Sequence, residues 1–379
     1  NTEIGVYESL ATLGSNSWTI GNQLVSGFYP NRIPNPDLKW EKTWQFDIGF
    51  DLGLFNNRLR LTADYYYKKT TDLLYNVAIP YTSGYDTMLK NIGSLENHGY
   101  ELSIESDNLT GPFSWTTAFN ISFNRNKVLE LGGEEYKEMA EGDGHLKTGS
   151  VRRLIVGEPV GVFYGYRFDG IFQNEEECKQ QTSSAAPIGV GLRRYKDLNG
   201  DGKVDAVNDR EILGNANPKF FGGLTNTFAY KGFELNVFLQ YSVGNKILNY
   251  NAMELETPTG GQNAYADMVN RWTPENPSNI YPKATTNRNV LVSDRFIEDG
   301  SYLKLKTLSL SYSFPKVNIK HIQGLRIYVT GQNLLTWTKY RGYDPEVSYR
   351  GASTLESGED FGGYPQSRTF MLGVKLDIK

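Results

Sequence analysis

Residues 197–209 have the residue types and the spacing that bind a hard cation. An EF-hand-type loop supplies oxygen ligands from positions 1, 3, 5, 7, 9 and 12 and has glycine at position 6. Counted from Asp197, the sequence places at these positions Asp197, Asn199, Asp201, the backbone carbonyl of Lys203, Asp205 and Asn208, with Gly202 at the sixth. Asp209 follows one place after the position of the usual bidentate glutamate. The pattern therefore points to Ca²⁺.

Two interpretations of this loop stay open. In the first, a structural Ca²⁺ clip, the ligands are Asp197, Asn199, Asp201, Lys203, Asp205 and Asp209. In the second, the Asn-Gly and Asp-Gly pairs form a tight turn without any metal. No helical periodicity flanks the loop, which argues against a sensor that moves a pair of helices. The missing glutamate predicts weak affinity, with a Kd of about 10⁻⁴–10⁻³ M.

Four aromatic residues are candidates for substrate contact. Trp272, Trp337, Tyr340 and Tyr343 lie between strand-like runs, in segments that we expect to be exposed loops. Such rings can stack on sugars or grip peptides, but they also form protein interfaces and the aromatic belts of membrane proteins. The sequence leaves these alternatives open for each residue.

The chain lacks the motifs of an enzyme. Its histidines, His98, His145 and His321, fall on separate elements, and no nucleophile elbow, phosphate-binding loop or Cys–His zinc pattern occurs. Cys178 is the single cysteine, so an intrachain disulfide cannot form. The formal net charge of −4 provides no basic field for nucleic acid. We therefore expect binding without covalent chemistry and no nucleic-acid partner.

The elements that position these residues are strands. Apolar and polar residues alternate, as in strands that place one face against an apolar medium, although the alternation is weaker at 97–107, 219–230, 301–314 and 324–332. Nine such runs are predicted, at 42–54, 59–68, 97–107, 113–124, 219–230, 233–243, 301–314, 324–332 and 368–378. Their lengths fit a membrane-spanning strand of about 9–11 residues better than a soluble strand of about 5–6. The apolar face of one run changes near Lys306, which predicts a β-bulge.

The polar faces of these runs carry carboxylates that could be mistaken for catalytic pairs. The interior of a transmembrane barrel is polar because water fills it. We interpret as part of such a wall the side chains of Asp47, Asp51, Asp64, Glu101, Glu105 and Glu234.

Short and long connections alternate along the chain, as in an outer-membrane barrel with periplasmic turns and extracellular loops. Short turns are predicted at 55–57, 108–112, 231–232 and 315–323, and long loops at 71–96, 125–218, 245–300 and 333–367. The strand-like segment 160–173 is assigned to a strand or hairpin within the second long loop. As a membrane span it would invert the alternation.

The expected fold class is all-β, an antiparallel transmembrane β-barrel with long extracellular loops. Residues 1–41 would form an extracellular loop, 42–124 four strands, 125–218 a long extracellular loop with the calcium-like motif, and 219–379 five strands. Bacterial barrels have an even number of strands, and an open nine-stranded sheet leaves two unpaired edges. We therefore expect the C-terminal portion of a larger barrel. Another polypeptide, or another part of the same one, would supply the rest.

Several long motifs occur in order over nearly the whole chain. They include NPDLKWEKTWQFDIGFD (35–51), NIGSLENHGYELSI (91–104), FNISFNRNKVLELGG (119–133), YKDLNGDGKVD (195–205) and VTGQNLLTWTKYRGYDPE (329–346). With these motifs the chain resembles the C-terminal part of the SusC/RagA-type TonB-dependent outer-membrane transporters of Bacteroidetes. The final KLDIK departs from the aromatic residue on which such barrels usually end.

The resemblance implies a plugged barrel of 22 strands in the bacterial outer membrane, of which this chain would supply the last nine. It implies a plug upstream of Asn1 that contacts the TonB complex, and a SusD-like surface lipoprotein that closes over the barrel as a lid. The substrate would be an oligosaccharide or a peptide. The residues alone leave two alternatives, a soluble or surface Ca²⁺-dependent carbohydrate-binding or adhesin β-protein and a passive porin.

Overall fold

The computed structural model describes residues 9–378, except 86, 140–141, 143–144, 147, 258–260, 262, 287–289, 316–320, 348, 352 and 354. The first strands in chain order are β1 (Thr12–Ile20), β2 (Gln23–Arg32), β3 (Lys42–Leu54), β4 (Leu59–Thr71), β5 (Leu74–Ala78), β6 (Thr87–Asn91), β7 (Ser94–Leu109) and β8 (Phe113–Glu130). The next are β9 (Tyr136–Glu138), β10 (Arg152–Ile155), β11 (Val162–Tyr166), β12 (Phe168–Ile171), β13 (Thr182–Ser183), β14 (Arg193–Tyr195), β15 (Lys203–Val204) and β16 (Arg210–Asn215). The last are β17 (Phe220–Tyr230), β18 (Phe233–Val243), β19 (Lys246–Asn249), β20 (Ile297–Asp299), β21 (Tyr302–Ser313), β22 (Ile322–Thr338), β23 (Glu359–Asp360) and β24 (Thr369–Ile378).

Helices are few and short. The α-helices are α1 (Glu175–Lys179) and α2 (Tyr250–Leu255), and 3₁₀ turns occur at Tyr81–Ser83, Ala266–Asn270 and Asp294–Phe296. All of them lie in connections between the long strands. Within the described ranges, no helix has the length and apolar character needed to span a membrane.

Nine strands form the largest sheet of the described structure. Their order across the sheet is β3-β4-β7-β8-β17-β18-β21-β22-β24, and every neighbouring pair is antiparallel. Each strand therefore pairs with the next long strand along the chain, as in an up-and-down barrel. The predicted nine-stranded antiparallel fold is confirmed, with β3 and β24 at the two edges of the sheet.

Three of these strands are longer than the alternation predicted. β7, β8 and β22 contain 16, 18 and 17 residues. The additional part of β8, at 125–130, reads RNKVLE and has no apolar period. The ladder continues through it because backbone hydrogen bonds do not depend on side-chain polarity. The sheet therefore extends beyond its alternating region towards the long connections.

Tight turns close one end of the sheet. Lys231 and Gly232, between β17 and β18, have φ of 47° and 87°. A type I′ hairpin turn requires positive φ at both central positions, which glycine adopts without strain. The long connections all lie at the opposite end and contain the smaller strands. The predicted alternation of short and long connections is present in the structure, whereas its direction relative to the membrane stays a prediction.

The bulge predicted near Lys306 is present. Phe238 of β18 pairs with Thr307 and the adjacent Leu239 pairs with Leu305, so Lys306 is the extra residue of β21. Because one residue is added, the leucines before and after the bulge face the same side of the sheet. The bulge thus keeps the apolar face of β21 continuous.

The apolar face has an aliphatic middle and aromatic ends. Leu224, Leu239 and Leu305 are cross-strand neighbours in its middle. Aromatic residues flank this band, at the turn end Phe113, Phe228, Tyr230, Phe233, Tyr312 and Phe314, and at the loop end Phe123, Phe220, Tyr241 and Trp337. An apolar band between two aromatic girdles is the outer surface of a transmembrane barrel.

Residues 12–32 form a hairpin that the alternation pattern did not predict. β1 and β2 pair with each other and are separate from the nine-stranded sheet. Gly14, Gly27 and Pro30 interrupt the pattern, although the turn residues Gly21 and Asn22, with φ of 59° and 62°, favour a hairpin. The expected loop 1–41 therefore contains a β-hairpin within its described part.

The long connections pack into a loop body with its own apolar core. Strand β11, from the segment 160–173, pairs with β10 and β16 in a sheet apart from the large one, as predicted. The core contains Leu146, Val151, Phe163, Ala216, Leu248, Tyr250, Ala252, Met253, Val290, Val292 and Phe296. Because these residues come from the second and third long loops, each loop is held by the other.

An arginine on the apolar face tests its contact with lipid. We expect Val237→Arg, near the middle of β18, to lower the free energy of unfolding by about 2–4 kcal/mol. Asn236→Arg is the matched control, because this adjacent residue faces the polar side and should cost much less. The measurement is urea unfolding of the full-length protein in lipid vesicles. Equal costs at the two positions would contradict a lipid-facing surface.

Candidate functional site

The polar face of the sheet is the wall of the candidate site. The register places the six predicted carboxylates on one face: Asp51 lies opposite Thr62, Asp64 opposite Glu101, and Arg60 opposite Glu105. Arg60 bonds Glu105 at 3.0 Å, and Thr62 donates to Asp51 at 2.6 Å. These exposed cross-strand contacts are typical of a water-facing wall.

A cluster of charges fixes the fourth long loop to this wall. We call it the lysine latch, formed by Lys304 and Lys306 of β21 with Asp344 and Glu346 of the loop. Lys304, only 1% exposed, reaches Asp344 at 2.6 Å and Glu346 at 2.5 Å. Lys306, the bulge residue, reaches Glu346 at 2.8 Å. Lys304 and Lys306 are two residues apart and share the polar face of β21, so both can contact the same loop.

The latch changes the protonation equilibrium of its glutamate. Burial raises the pKa of Glu346, but hydrogen bonds from Lys304 and Lys306 outweigh burial, so the pKa lies below 4.5. A folded-state pKa below the unfolded value adds stability above the unfolded pKa, and this stability is lost as the pH falls through the folded pKa. Acid should therefore weaken the attachment of the loop to the wall.

A fully buried ion pair joins the second and fourth long loops. Arg152 and Glu359 are each 1% exposed, and their side chains meet at 2.9 Å. The Arg152 guanidinium also donates to the Gly161 carbonyl at 2.7 Å and lies over the Phe163 ring, at 4.2 Å from its centroid. Tyr250 donates to the second oxygen of Glu359 at 3.2 Å. Each charge is satisfied, so loss of one partner would leave the other buried and unpaired.

A second network joins the third and fourth long loops. Glu256 is fully buried and accepts from Arg295 at 2.7 Å and from Arg341 at 2.9 Å. Arg341 also pairs with Glu298 at 2.8 Å. Together with the lysine latch, these networks make the loop body and the sheet one connected unit.

The four aromatic candidates lie in different environments in the structure. Trp272 lies within the loop body, where its Nε1 donates to Gln173 at 3.1 Å. Tyr340 is 5% exposed and donates to Asp360, so the prediction that it is exposed is wrong. Burial and this bond raise the pKa of Tyr340, which therefore stays neutral. Tyr343 is 81% exposed and is accessible for substrate contact.

Trp337 lies in a strand, not in the predicted loop. It is in β22 opposite Leu303, on the apolar face and beside Tyr241, and is 51% exposed. This placement favours the aromatic belt, one of the alternatives that the sequence left open. The sequence predicts a loop there because the alternation of β22 breaks before Trp337, at Asn333 and Leu334, which together lie opposite Lys306 of β21. Substrate contact by each of the four residues, Trp272, Trp337, Tyr340 and Tyr343, stays a prediction.

The residues of the lysine latch were missed as functional candidates. In the sequence, Lys306 marks only the change of apolar face in its strand, and residues 343–346 belong to a longer motif. The predicted bulge was the available signal, because an interrupted strand re-aims a side chain. The identity of the partners depends on a loop that returns from far along the chain.

Hydrogen bonds to backbone amides close the predicted calcium loop. Asp197 accepts bonds from the amides of two loop glycines, both at 2.7 Å. Asp209 is fully buried and accepts from the amides of Leu198 at 2.8 Å and Asp205 at 2.7 Å. The two carboxylates at the ends of the motif thus already hold the loop closed.

The other predicted ligands lie at the surface of the loop. Asn199, Asp201 and Lys203 are exposed, and Lys203 pairs with Asp205 at 3.2 Å. Across the described residues, no group of three or more His, Cys, Asp or Glu side chains is placed to hold a metal ion. Both interpretations of the loop, the Ca²⁺ clip and the metal-free turn, stay predictions.

The fold and the surfaces define a class of protein. An antiparallel sheet with an aliphatic band between aromatic girdles, a polar opposite face, tight turns at one end and folded loops at the other is the wall of an outer-membrane β-barrel. A family model described as TonB dependent receptor-like, beta-barrel matches residues 7–334. The chain belongs to this family, whose members are bacterial outer-membrane proteins.

The relatives align with almost the whole chain, whereas the chain spans less than half the length of each relative. The chain is 40% identical over 383 residues to TonB-dependent receptor P3 of Formosa agariphila, covering 99% of this chain and 38% of the relative. It is 31% identical over 358 residues to TonB-dependent receptor SusC of Bacteroides thetaiotaomicron, covering 91% and 32%. The solved RagAB peptide transporter is similar with a TM-score of 0.78 at 27% identity, covering 99% of this chain and 39% of that chain. The predicted resemblance is confirmed.

Removal of the latch should release the fourth long loop. We expect Lys304→Met to reduce the stability of this loop by about 3 kcal/mol, because two partly buried carboxylates lose their shared partner. Hydrogen exchange of residues 339–347 in the full-length protein is the measurement. In the unaltered protein, protection should also fall as the pH drops through the lowered pKa of Glu346, and Glu346→Gln should abolish this step. Equal protection in all three proteins at all pH values would show that the latch does not hold the loop.

Calcium titration decides between the two interpretations of residues 197–209. If the clip forms, Ca²⁺ should protect the loop from proteolysis with half-saturation at about 10⁻⁴–10⁻³ M. Asp201→Ala should remove this protection, while Asp169→Ala, a loop carboxylate outside the motif, should not. Absence of any effect at millimolar Ca²⁺ would leave the metal-free turn.

Proposed function

We propose that this chain forms part of the wall and the outer loops of a nutrient importer that is energised through TonB. The observation that carries the proposal is the attachment of a folded loop body to the polar face of the sheet by the lysine latch. Such loops can bind a solute at the mouth of a barrel and change position without unfolding. This role needs binding and gating and no covalent chemistry.

The proposed substrate is an oligosaccharide or a peptide. The relative SusC is named a TonB-dependent receptor, and the solved RagAB complex is described as a peptide transporter. Exposed Tyr343 and the polar wall can contact either type of solute, because a ring stacks on sugars and packs against side chains. We propose no narrower class from these surfaces.

The proposed partners are the rest of the barrel, a plug, the TonB complex that acts through the plug, and a SusD-like lipoprotein. The edge strands β3 and β24 offer unpaired backbone groups to further strands of a barrel. The loop body would provide the surface on which a lipoprotein closes. Its internal core and buried ion pairs support this role, because a lid needs a rigid seat.

Uptake by whole cells tests the import function. A strain that lacks the full-length receptor should lose uptake of a labelled oligosaccharide mixture or a labelled peptide mixture, and the intact gene should restore it. A protonophore should stop this uptake within minutes, since TonB-dependent import needs the proton gradient. Uptake that continues after the protonophore would indicate a passive porin. Recovery of the protein in the soluble fraction would instead indicate an adhesin or soluble binding protein.

A further inference from the structure

A buried arginine in the loop body lacks a carboxylate partner. Arg193 of β14 is 8% exposed, and among the described residues it forms no ion pair. Its two terminal nitrogens donate to neutral groups, the Thr257 hydroxyl at 3.0 Å and the Glu256 carbonyl at 2.9 Å. Its Nε has no hydrogen-bond partner in the part of the chain that the structure describes. A buried charge in this state costs several kcal/mol unless an anion balances it.

The nearest charges do not remove this imbalance. The carboxylate of Glu256 already accepts from Arg295 and Arg341, and Arg341 also pairs with Glu298. Counting these groups with Arg193 gives three guanidiniums and two carboxylates, a net charge of +1. Burial lowers the pKa of Arg193, as expected for a cation removed from water without a paired anion. The cluster is therefore electrostatically incomplete.

A cavity lies against this arginine. It has a volume of about 90 Å³, and its lining includes Arg193, Thr257, Tyr195 and Thr285. A water molecule needs about 10–15 Å³ of such space, so the cavity has room for several waters or for one oxyanion group. Tyr195 is 3% exposed and accepts from the Leu291 amide at 3.3 Å, which fixes its hydroxyl beside the cavity. Guanidinium and hydroxyl donors around a small space are the chemistry of oxyanion recognition.

We propose that this cavity binds a carboxylate or sulfate group, with Arg193 as its counter-ion. The free Nε supplies a charge-assisted hydrogen bond, and the hydroxyls of Thr257 and Tyr195 complete the set of donors. The group can come from a free ion or from an acidic unit on a larger solute, since the same donors recognise both. The proposal stands apart from the import function, because it concerns a site within the loop body.

Crystals of the full-length receptor soaked in selenate, a sulfate analogue, test the site directly. We expect an anomalous selenium peak in the cavity within hydrogen-bond distance of Arg193. Calorimetry in detergent measures the affinity for selenate. Arg193→Met, which keeps the length of the side chain, should weaken binding by at least about tenfold, as loss of a charge-assisted bond predicts. Arg194→Met is the matched control, because Arg194 is paired with Asp169 at 2.9 Å and should leave binding unchanged.

Further arms of the calorimetry identify the source of the group. Glucuronate offers an attached carboxylate, and glucose is its neutral control. Selenate binding without glucuronate binding supports a site for a free ion, and binding of both supports a site for acidic units of a larger solute. Absence of a selenium peak in the unaltered receptor, or equal selenate affinity with Arg193→Met, would overturn the proposal, and the peak does not depend on the folding of any variant.

Discussion

Backbone pairing in a single register is the constraint on which the rest of the structure depends. In a membrane, each amide and carbonyl needs a protein partner, and the nine strands pair with their neighbours in one continuous antiparallel sheet. With a side-chain period of two, a slip of one residue would move every leucine of the apolar face to the polar side. The bulge at Lys306 shows how strict this condition is. One extra residue is accommodated where it keeps both faces intact and supplies a lysine for the latch.

The loops solve a different physical problem. They have no membrane to order them, so they depend on an apolar core and on buried ion pairs such as Arg152–Glu359. Such pairs add little net stability compared with apolar contacts, but a missing partner is costly. They therefore select one arrangement of the loops over others. The lysine latch attaches the ordered loops to the sheet, because Lys304 belongs to a membrane-spanning strand and Glu346 to a loop.

Much of the sheet could be predicted because its signals are local. The alternation of β3 and β18 and the bulge of β21 are all visible within about a dozen residues. The hairpin of β1 and β2 was missed because Gly14, Gly27 and Pro30 break the alternation. The alternation does not predict the last residues of β8, because polar residues can continue a ladder of backbone hydrogen bonds. Both errors arise where backbone hydrogen bonding and side-chain polarity no longer coincide.

The site residues are harder to predict than the strands, because their surroundings come from distant parts of the chain. The sequence by itself determined the fold class, the strand number of the sheet, the alternation of turns and loops, and the family, since these depend on period and on contiguous motifs. Only the tertiary structure decided that Tyr340 is buried and donates to Asp360 and that Trp337 faces the apolar side. It also decided that the Nε of Arg193 is buried with no hydrogen-bond partner among the described residues. These properties depend on contacts between loops far apart in the chain. Period and spacing carry no information about which of those loops meet.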